Sequence, residues 1–243
     1  METHWLQKYK IAHRGYHTSD KSILENTKEA FIEAIKRDYA IELDTNILND
    51  GNVVIFHDPN LKRMANLNKK LRKMTLEEIR NIKLIDNKST IMTFQEMLEL
   101  VDGKVPLVIE LKPFGGYKRH CEEVYRLLQQ YQGKFVIQSF DPRVLLWFKK
   151  HAPEVLRGQI TETFIEEPII PGFLKYFMSS MKLNFLTKPH FINYKIQDLP
   201  NKFIERSKRK GRLILGYVAR NQIDFDFMIN HYDNCVFEYF NPA

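Results

Sequence analysis

Cysteine, long apolar runs and flexible linkers are scarce in this chain. Only two cysteines occur among its 243 residues, which rules out a disulfide framework and leads us to expect reduced thiols. No apolar run approaches the roughly 20 residues that span a bilayer, and no targeting segment is visible. Internal repeats, low-complexity tracts and Gly/Ser/Pro-rich linkers are also missing. The sequence therefore predicts a cytoplasmic protein without a transmembrane segment, built as a single domain over residues 1–243.

Basic residues outnumber acidic ones, while the rest of the composition is ordinary. Apolar residues make up 44% of the chain and charged residues 28%, as is usual for soluble globular proteins. The net charge of +7 favours anionic partners, such as phosphates or an anionic membrane surface. A solvated basic surface without such a partner explains the charge equally well.

Short apolar runs alternate with helical patterns along the chain. Eight strands separated by helices predict an α/β protein with the (β/α)8 TIM barrel fold, for which this length is typical. A doubly wound open sheet is the structural alternative. The predicted strands cover residues 10–13, 39–45, 105–112, 134–139, 155–161, 184–188, 212–219 and 234–239.

Helix starts are marked by a polar residue with glutamate three positions later, or by a proline at the first helical position. These signals occur at Asn26/Glu29, Thr75/Glu78, Thr93/Glu96 and Asp141-Pro142.

Segment 173–186 combines aromatic residues with lysines after the fifth strand, where a barrel requires a helix. A core helix is the favoured interpretation there, and a basic amphipathic membrane-contact helix is the alternative.

A small β-hairpin is predicted as an insertion after the second strand. Asp50-Gly51 separates two β-prone runs within residues 45–58, which is a strong hairpin signal. The returning strand would bring His57 back to the rim of the barrel. Because the hairpin is an insertion, the barrel itself keeps eight strands.

Three carboxylates lie within apolar strand sequences. Side chains alternate along a strand, so Glu42 shares a face with Asp44, and Glu110 shares a face with Lys112. Active sites of barrels lie at the C-terminal ends of the strands. Three carboxylates there predict a divalent cation site, for Mg²⁺ or Ca²⁺ rather than Zn²⁺. A buried network of carboxylates with Lys and Arg, without a metal, is the alternative.

Two histidines are predicted to flank this site. His13 ends the first strand and His57 ends the hairpin. An ordinary histidine pKa of about 6.5 suits proton transfer in both directions. Arg14, next to His13, is suited to holding a phosphate through two hydrogen bonds. Asn26 is interpreted equally well as a functional residue of this site or as a helix cap.

Short motifs with these residues follow one another in a characteristic order. They are His13-Arg14-Gly15, Glu25-Asn26-Thr27, Glu42-Leu43-Asp44, Asp50-Gly51, His57-Asp58-Pro59, Glu110-Leu111-Lys112 and Gln138-Ser139-Phe140. Each motif alone is weak, but the ordered set is specific. It resembles the glycerophosphodiester phosphodiesterase family.

The resemblance implies a (β/α)8 fold and metal-dependent hydrolysis of a glycerophosphodiester to glycerol 3-phosphate and an alcohol. The implied partner is a small-molecule substrate and not a nucleic acid; peripheral membrane contact and the oligomeric state stay open. The implied roles are general acid and base for His13 and His57, metal ligands for Glu42, Asp44 and Glu110, and phosphate binding for Arg14 and Lys112.

The C-terminal part of the chain departs from the family pattern. Gly216-Tyr217-Val218-Ala219 stands where members often carry Trp-Thr-Val-Asn, which predicts weak discrimination among alcohol headgroups.

Two other function classes stay open. One is a phospholipase D-type relative that acts on a lysophospholipid or sphingolipid. The other is a non-catalytic anion-binding barrel, against which the complete motif set argues.

Overall fold

Eight parallel strands alternate with helices, so the chain adopts the predicted (β/α)8 barrel and not a doubly wound sheet. The computed structural model describes residues 4–114, 116–166 and 171–243. Within these residues an additional short strand forms the predicted hairpin. The strands are β1 (Ile11–Ala12), β2 (Ala40–Ile47), β3 (Val53–Ile55), β4 (Leu107–Leu111), β5 (Phe135–Ser139), β6 (Arg157–Thr161), β7 (Phe191–Lys195), β8 (Leu213–Ala219) and β9 (Asn234–Phe237).

The helices of the described residues include the predicted ones. Capping boxes at Thr75 and Thr93 start two of them, and the Asp141 side chain caps a third just before Pro142. The helices are α1 (Trp5–Lys8), α2 (Lys28–Lys36), α3 (Lys62–Ala65), α4 (Leu76–Arg80), α5 (Phe94–Val101), α6 (Tyr117–Leu128), α7 (Pro142–His151), α8 (Gly172–Ser179), α9 (Asn184–Thr187), α10 (Lys202–Lys208) and α11 (Gln222–His231), with 3-10 turns at Leu71–Lys73 and Ile196–Asp198.

The chain divides into two compact units. One unit comprises residues 11–137, and the other comprises residues 1–10 and 138–243. In the first unit β2 pairs in parallel with both β1 and β4, and β3 returns antiparallel to β2. In the second unit β6 to β9 pair in parallel in chain order. A single domain over residues 1–243 stays a prediction.

The segment between β2 and α5 is longer than the predicted hairpin and has a hydrophobic core of its own. Asp50 and Gly51 form the tip of the hairpin, where the φ of +96° at Gly51 favours glycine. Beyond the hairpin, residues 57–92 continue through α3 and α4. The buried side chains of this core include Leu48, Val54, Phe56, Leu61, Met64, Leu71, Met74, Ile79, Leu84 and Ile91.

Two predictions of local structure are wrong. Residues 184–188 form α9 and its C-cap instead of a strand, and the strand lies at β7. Phe191 and Ile192 make this strand's buried apolar run, whereas Phe185 and Leu186 are exposed. The cap of α2 is Thr27, whose hydroxyl accepts from the Ala30 N–H, and Asn26 lies before it with a φ of +55°.

The favoured core-helix interpretation of segment 173–186 is also wrong. The side chains of Phe173, Tyr176 and Phe177 on α8 are exposed, as is Phe185 on α9.

Both cysteines are free and buried, as expected for reduced thiols. None of the helices in the described part of the chain is long and apolar enough to cross a membrane.

Candidate active site

The three predicted carboxylates lie together in the unit of residues 11–137. Asp44 on β2 stands opposite Glu110 on β4, and Glu42 lies two residues earlier on the same face as Asp44. One oxygen from each carboxylate lies within 4.8 Å of the others. All three side chains are buried. The strand register, which the alternation of residues predicts, therefore brings three acids to one point.

Burial and mutual repulsion make this acid cluster electrostatically costly. Burial raises the pKa of the Glu42 carboxyl well above its usual range, and the charges of Asp44 and Glu110 raise it further. Burial likewise raises the pKa of Glu110, although the ammonium group of Lys112 opposes the effect. Each charge therefore needs a nearby cation to be stable.

Two cations of the chain supply part of that compensation. Lys112 Nζ lies 2.7 Å from a Glu110 oxygen and 3.4 Å from Asp44 Oδ1. Arg14 Nε lies 3.1 Å from Asp44 Oδ2. Burial would raise the pKa of Asp44, but Lys112 and Arg14 hold it far below its usual range. Asp44 is therefore ionised, and Glu42 is the acid that the cations compensate least.

Arg14 is held in place from both its backbone and its side chain. Its φ of +53° lies in a region that L residues rarely adopt, and its N–H donates to a Glu42 oxygen at 3.2 Å. Its Nη1 donates to Glu25 at 2.7 Å. The following residue, Gly15, has a φ of +77°, and a Cβ there would meet Ala30 at 2.8–2.9 Å.

Asn26 is a partner of Asp44. Its Nδ2 donates to Asp44 Oδ2 at 2.8 Å, and its own N–H donates to the Arg14 carbonyl at 2.9 Å. The amide thus fixes the orientation of the carboxylate and of the loop that carries Arg14. Because Thr27 caps α2, the structure favours a role for Asn26 at the acid cluster over a role as helix cap.

His57 lies at the end of the hairpin and is oriented by an acid and an arginine. Its Nδ1 lies 2.6 Å from Asp58 Oδ1, and Arg63 Nε donates to Asp58 Oδ2 at 2.7 Å. Burial raises the pKa of Asp58, but His57 and Arg63 lower it far below its usual range. An ionised carboxylate only accepts, so Nδ1 carries the hydrogen and Nε2 is the atom left for proton transfer.

His13 contacts the acid cluster from the end of β1. Its Nε2 lies 3.9 Å from Glu42 Oε2, and its side chain is mostly buried. Burial raises the pKa of Asp44, and the charges of Lys112, Arg14, His57 and His13 lower it, in that order of size, so both histidines act on this carboxylate. The unit of residues 11–137 therefore brings together all seven residues that the sequence singled out.

The residues at this cluster fit a divalent cation. Asp44 Oδ1 is buried and makes no hydrogen bond among the described residues, although Lys112 lies nearby. The donors are three carboxylates, the hard oxygen ligands that Mg²⁺ and Ca²⁺ take. Lys112 and Arg14 leave Glu42 incompletely compensated. The unsatisfied oxygen and the residual repulsion are both features that a cation would relieve.

Sequence reasoning missed an ion-pair cluster behind the histidine. Arg63 binds Glu25 through Nη1 and Nη2, at 2.8 and 2.7 Å, as well as Asp58. Glu25 and Asp58 are members of the sequence motifs but were assigned no role from the sequence, and Arg63 lies outside every motif. Asp58, directly after His57, was the usable signal for this cluster, because an acid at that position needs a cationic partner. Nothing in the sequence joined Glu25 to Arg63, which are 38 positions apart.

We expect Arg63→Met to lower the thermal stability at neutral pH and to have little effect at strongly acidic pH. Burial raises the pKa of Glu25, but Arg63 and Arg14 lower it to about 2, below its ordinary value of 4.5. The ion pairs of Glu25 therefore stabilise the fold fully above pH 4.5, and this contribution is lost as the pH falls towards about 2. Each kcal/mol lost lowers Tm by about 2–4 °C.

Melting curves of the wild type and of Arg63→Met across this pH range test the expectation. The two curves should converge on the acidic side. Lys62→Met is the matched control, because Lys62 is the exposed neighbour of Arg63 on α3. An equal loss of Tm at every pH would show that Arg63 stabilises the fold by packing alone.

Comparison with known proteins shows which family the chain is similar to. The model of the glycerophosphoryl diester phosphodiesterase family matches residues 13–237. The YhdW protein of Bacillus subtilis (strain 168) is 28% identical over 223 residues, which are 88% of this chain and 87% of that protein. A glycerophosphodiester phosphodiesterase of Caldanaerobacter subterraneus is 32% identical over 169 residues, covering 65% of this chain and 68% of that protein.

A solved structure supports the fold. An Oleispira antarctica phosphodiesterase, in complex with the product sn-glycerol-3-phosphate, matches with a TM-score of 0.79 at 22% identity, over 95% of this chain and 93% of its own. The family match begins at His13 and runs through both acid-bearing strands and the hairpin. The chain therefore belongs to the glycerophosphoryl diester phosphodiesterase family of enzymes.

Proposed function

We propose that the protein hydrolyses glycerophosphodiesters to glycerol 3-phosphate and an alcohol, with a divalent cation at the acid cluster and two histidines as proton-transfer groups. The observation that carries this proposal is the cluster of Glu42, Asp44 and Glu110, with oxygens within 4.8 Å of one another, between His13 and the hairpin of His57. Family membership and the glycerol phosphate named for the Oleispira relative support the substrate class.

Glu42, Asp44 and Glu110 are the proposed ligands of the cation, with Mg²⁺ or Ca²⁺ as the candidates. When bound, the cation would orient the attacking hydroxyl and neutralise phosphate charge. The three acids lie on two adjacent strands, so the barrel sheet itself sets their spacing. Asn26 holds Asp44 in its orientation through the 2.8 Å hydrogen bond.

Arg14 and Lys112 are the proposed phosphate-binding residues. Both are mostly buried next to the acid cluster. Burial opposes their charge, but the surrounding acids raise the pKa values of both above the ordinary ones, so both stay positively charged. Fixed cations of this kind stabilise the charge that develops on phosphoryl oxygens in the transition state. Glu25 anchors Arg14 Nη1, so the guanidinium needs little reorganisation when the phosphate arrives.

The two histidines transfer the protons of the reaction. The glycerol 2-hydroxyl attacks phosphorus while one histidine takes its proton, and the other gives a proton to the departing alcohol oxygen. A cyclic phosphate results, and water then opens it to glycerol 3-phosphate as the two histidines exchange roles. Asp58 and Arg63 hold His57 in the tautomer that leaves Nε2 for proton transfer.

A substrate panel run with and without added divalent cation tests this function. Glycerophosphocholine, glycerophosphoethanolamine and glycerophosphoglycerol should be hydrolysed only with the cation present, and glycerol 3-phosphate should appear in equal amount to the alcohol. A lysophospholipid and a sphingomyelin form the second arm. Faster turnover of either lipid would replace the proposal with a phospholipase D-type activity, and phosphate binding without turnover of any substrate would indicate a non-catalytic barrel.

Within that panel we expect weak selectivity for the alcohol group. Gly216 lacks a side chain, and one added there would meet Met228 and Ile196 at 2.7–2.8 Å. The Tyr217 hydroxyl already donates to the Thr161 carbonyl at 3.3 Å. These positions therefore offer few fixed polar partners, and a missing apolar contact is worth only about 1–3 kcal/mol. A kcat/KM preference above about 10³-fold for one headgroup would require a dedicated site instead.

A further inference from the structure

Half of the large exposed apolar side chains in the described part of the chain lie within residues 165–186. Six of the twelve such side chains are there, and Ile165, Phe173 and Phe185 are 75%, 77% and 71% exposed. Single exposed apolar residues are common, whereas a cluster of this kind marks an interaction surface. We call it the apolar surface, and it consists of Ile165, Phe173, Tyr176, Phe177, Phe185 and Leu186.

The members of the apolar surface are linked to one another by local structure. Phe173, Tyr176 and Phe177 follow the i, i+3, i+4 spacing of one face of α8. Lys175 Nζ on α8 donates to the Ile165 carbonyl at 3.3 Å, which links Ile165 to this helix. Tyr176 and Phe185 line the same cavity of about 260 Å³. One aromatic residue of α8 and one of α9 therefore border the same cavity.

This cavity is basic. Its lining includes Lys182, Arg206, Lys210 and Arg212, and none of its lining residues is acidic. The adjoining segment 171–188 also contains no Asp or Glu but three lysines. A group that enters the cavity from the apolar surface therefore meets a positive potential that favours an anion.

Asn184 provides an independent sign of a polar ligand in the cavity. It lines the cavity, and only 5% of the residue's surface is exposed. Neither its amide nitrogen nor its amide oxygen has a hydrogen-bond partner among the described residues. A buried amide without partners is destabilising, so a bound group that offers hydrogen bonds would be favoured there.

We propose that the apolar surface and its basic cavity bind an anionic phospholipid bilayer, with the aromatic side chains inserted at the interface and a lipid phosphate group in the cavity. Aromatic and aliphatic side chains next to lysines are the composition of peripheral membrane-binding elements. Each Lys or Arg near an anionic leaflet adds about fivefold to the partition. The net charge of +7 acts in the same direction.

Charge complementarity favours this occupant over a second copy of the chain. Two copies that met through this surface would bring Lys175, Lys182 and Arg206 close to the same residues of the partner copy. Like charges placed together at an interface oppose association. An anionic bilayer instead pairs with every one of these cations.

Flotation with lipid vesicles tests the proposal. The protein should float with equimolar phosphatidylglycerol and phosphatidylcholine and much less with phosphatidylcholine alone. The double variant Phe173→Ser/Phe185→Ser should lose at least about tenfold in partition, because burial of a Phe side chain is worth that much. Ile223→Ser is the matched control, since Ile223 is 81% exposed on α11, outside the apolar surface, and it should float like the wild type.

A second double variant, at two cations that line the cavity, tests the electrostatic part of the proposal. Lys182→Gln/Arg206→Gln should reduce partition to the anionic vesicles by about fivefold for each cation, whereas Lys69→Gln should not. All variants should hydrolyse glycerophosphocholine like the wild type without vesicles, which verifies folding. Undiminished flotation of the Phe173→Ser/Phe185→Ser variant would overturn the proposal. So would a dimer in solution that this variant converts to a monomer, because the surface would then join two copies.

Discussion

Exhaustive removal of divalent cations is expected to abolish the hydrolysis of glycerophosphodiesters, and Mg²⁺ or Ca²⁺ is expected to restore it. The reason is the convergence of Glu42, Asp44 and Glu110 in a buried cluster that Lys112 and Arg14 compensate only in part. Glu42→Gln removes one charged ligand while nearly keeping its shape. It should weaken metal affinity by at least about 10–100-fold, the usual effect of losing even an outer partner of a metal site.

Thermal melts give a readout of the metal that does not depend on turnover. A cation at 100 times its Kd stabilises the folded state by about 2.7 kcal/mol, which raises the wild-type Tm by about 5–11 °C. At the same cation concentration, an affinity weaker by about 10–100-fold should cost Glu42→Gln about half of this increase or more. Without metal the variant should be at least as stable as the wild type, since burial and the charges of Asp44 and Glu110 oppose ionisation of Glu42.

Glu99→Gln is the matched control for that experiment. Glu99 is exposed on α5 and accepts from Gln95 at 3.0 Å, away from the acid cluster. Its variant should keep the metal-induced rise in Tm and the metal-dependent turnover. Full activity of the wild type after chelation, with no metal found by elemental analysis, would contradict the metal site and favour the alternative of a Lys/Arg-compensated acid network.

The sequence was sufficient to predict the acid cluster because the chemistry depends on strand periodicity. Alternation alone put Glu42 on the same face as Asp44, and parallel pairing then set Asp44 opposite Glu110. The hairpin at Asp50-Gly51 was equally predictable, since its turn chemistry is local. The (β/α)8 fold follows from the same regular alternation of strands and helices.

Contacts between distant segments could not be predicted in this way. Arg63 reaches Glu25 and Asp58 because residues 57–92 share a hydrophobic core with Leu24 and with the hairpin residues Val54 and Phe56. The strand at β7 was misplaced because Phe185 and Leu186 resemble a strand, although they lie exposed on α9. Apolar composition alone does not show whether a side chain packs inside or faces a partner.

Replacement of either histidine by alanine is expected to reduce kcat by about 10²–10⁴-fold, the usual contribution of positioned acid–base catalysis. His13 Nε2 lies 3.9 Å from Glu42, and His57 Nδ1 is fixed by Asp58. Both variants should fold, because positions at the barrel rim serve function more than packing. His151→Ala is the matched control, because His151 is exposed at the end of α7, and it should retain wild-type kcat.

A change of leaving group then separates the roles of the two histidines. A glycerophosphate ester of nitrophenol needs no proton on its departing oxygen, so loss of the general acid should be largely relieved with this substrate. Loss of the general base should cost the full factor with either substrate. Only one of the variants His13→Ala and His57→Ala should therefore recover, and it should do so in the first release of nitrophenol, before the cyclic phosphate is opened by the histidines in exchanged roles. Near-wild-type turnover of either variant with glycerophosphocholine would show that its histidine transfers no proton, and recovery of both or neither would contradict a division into one acid and one base.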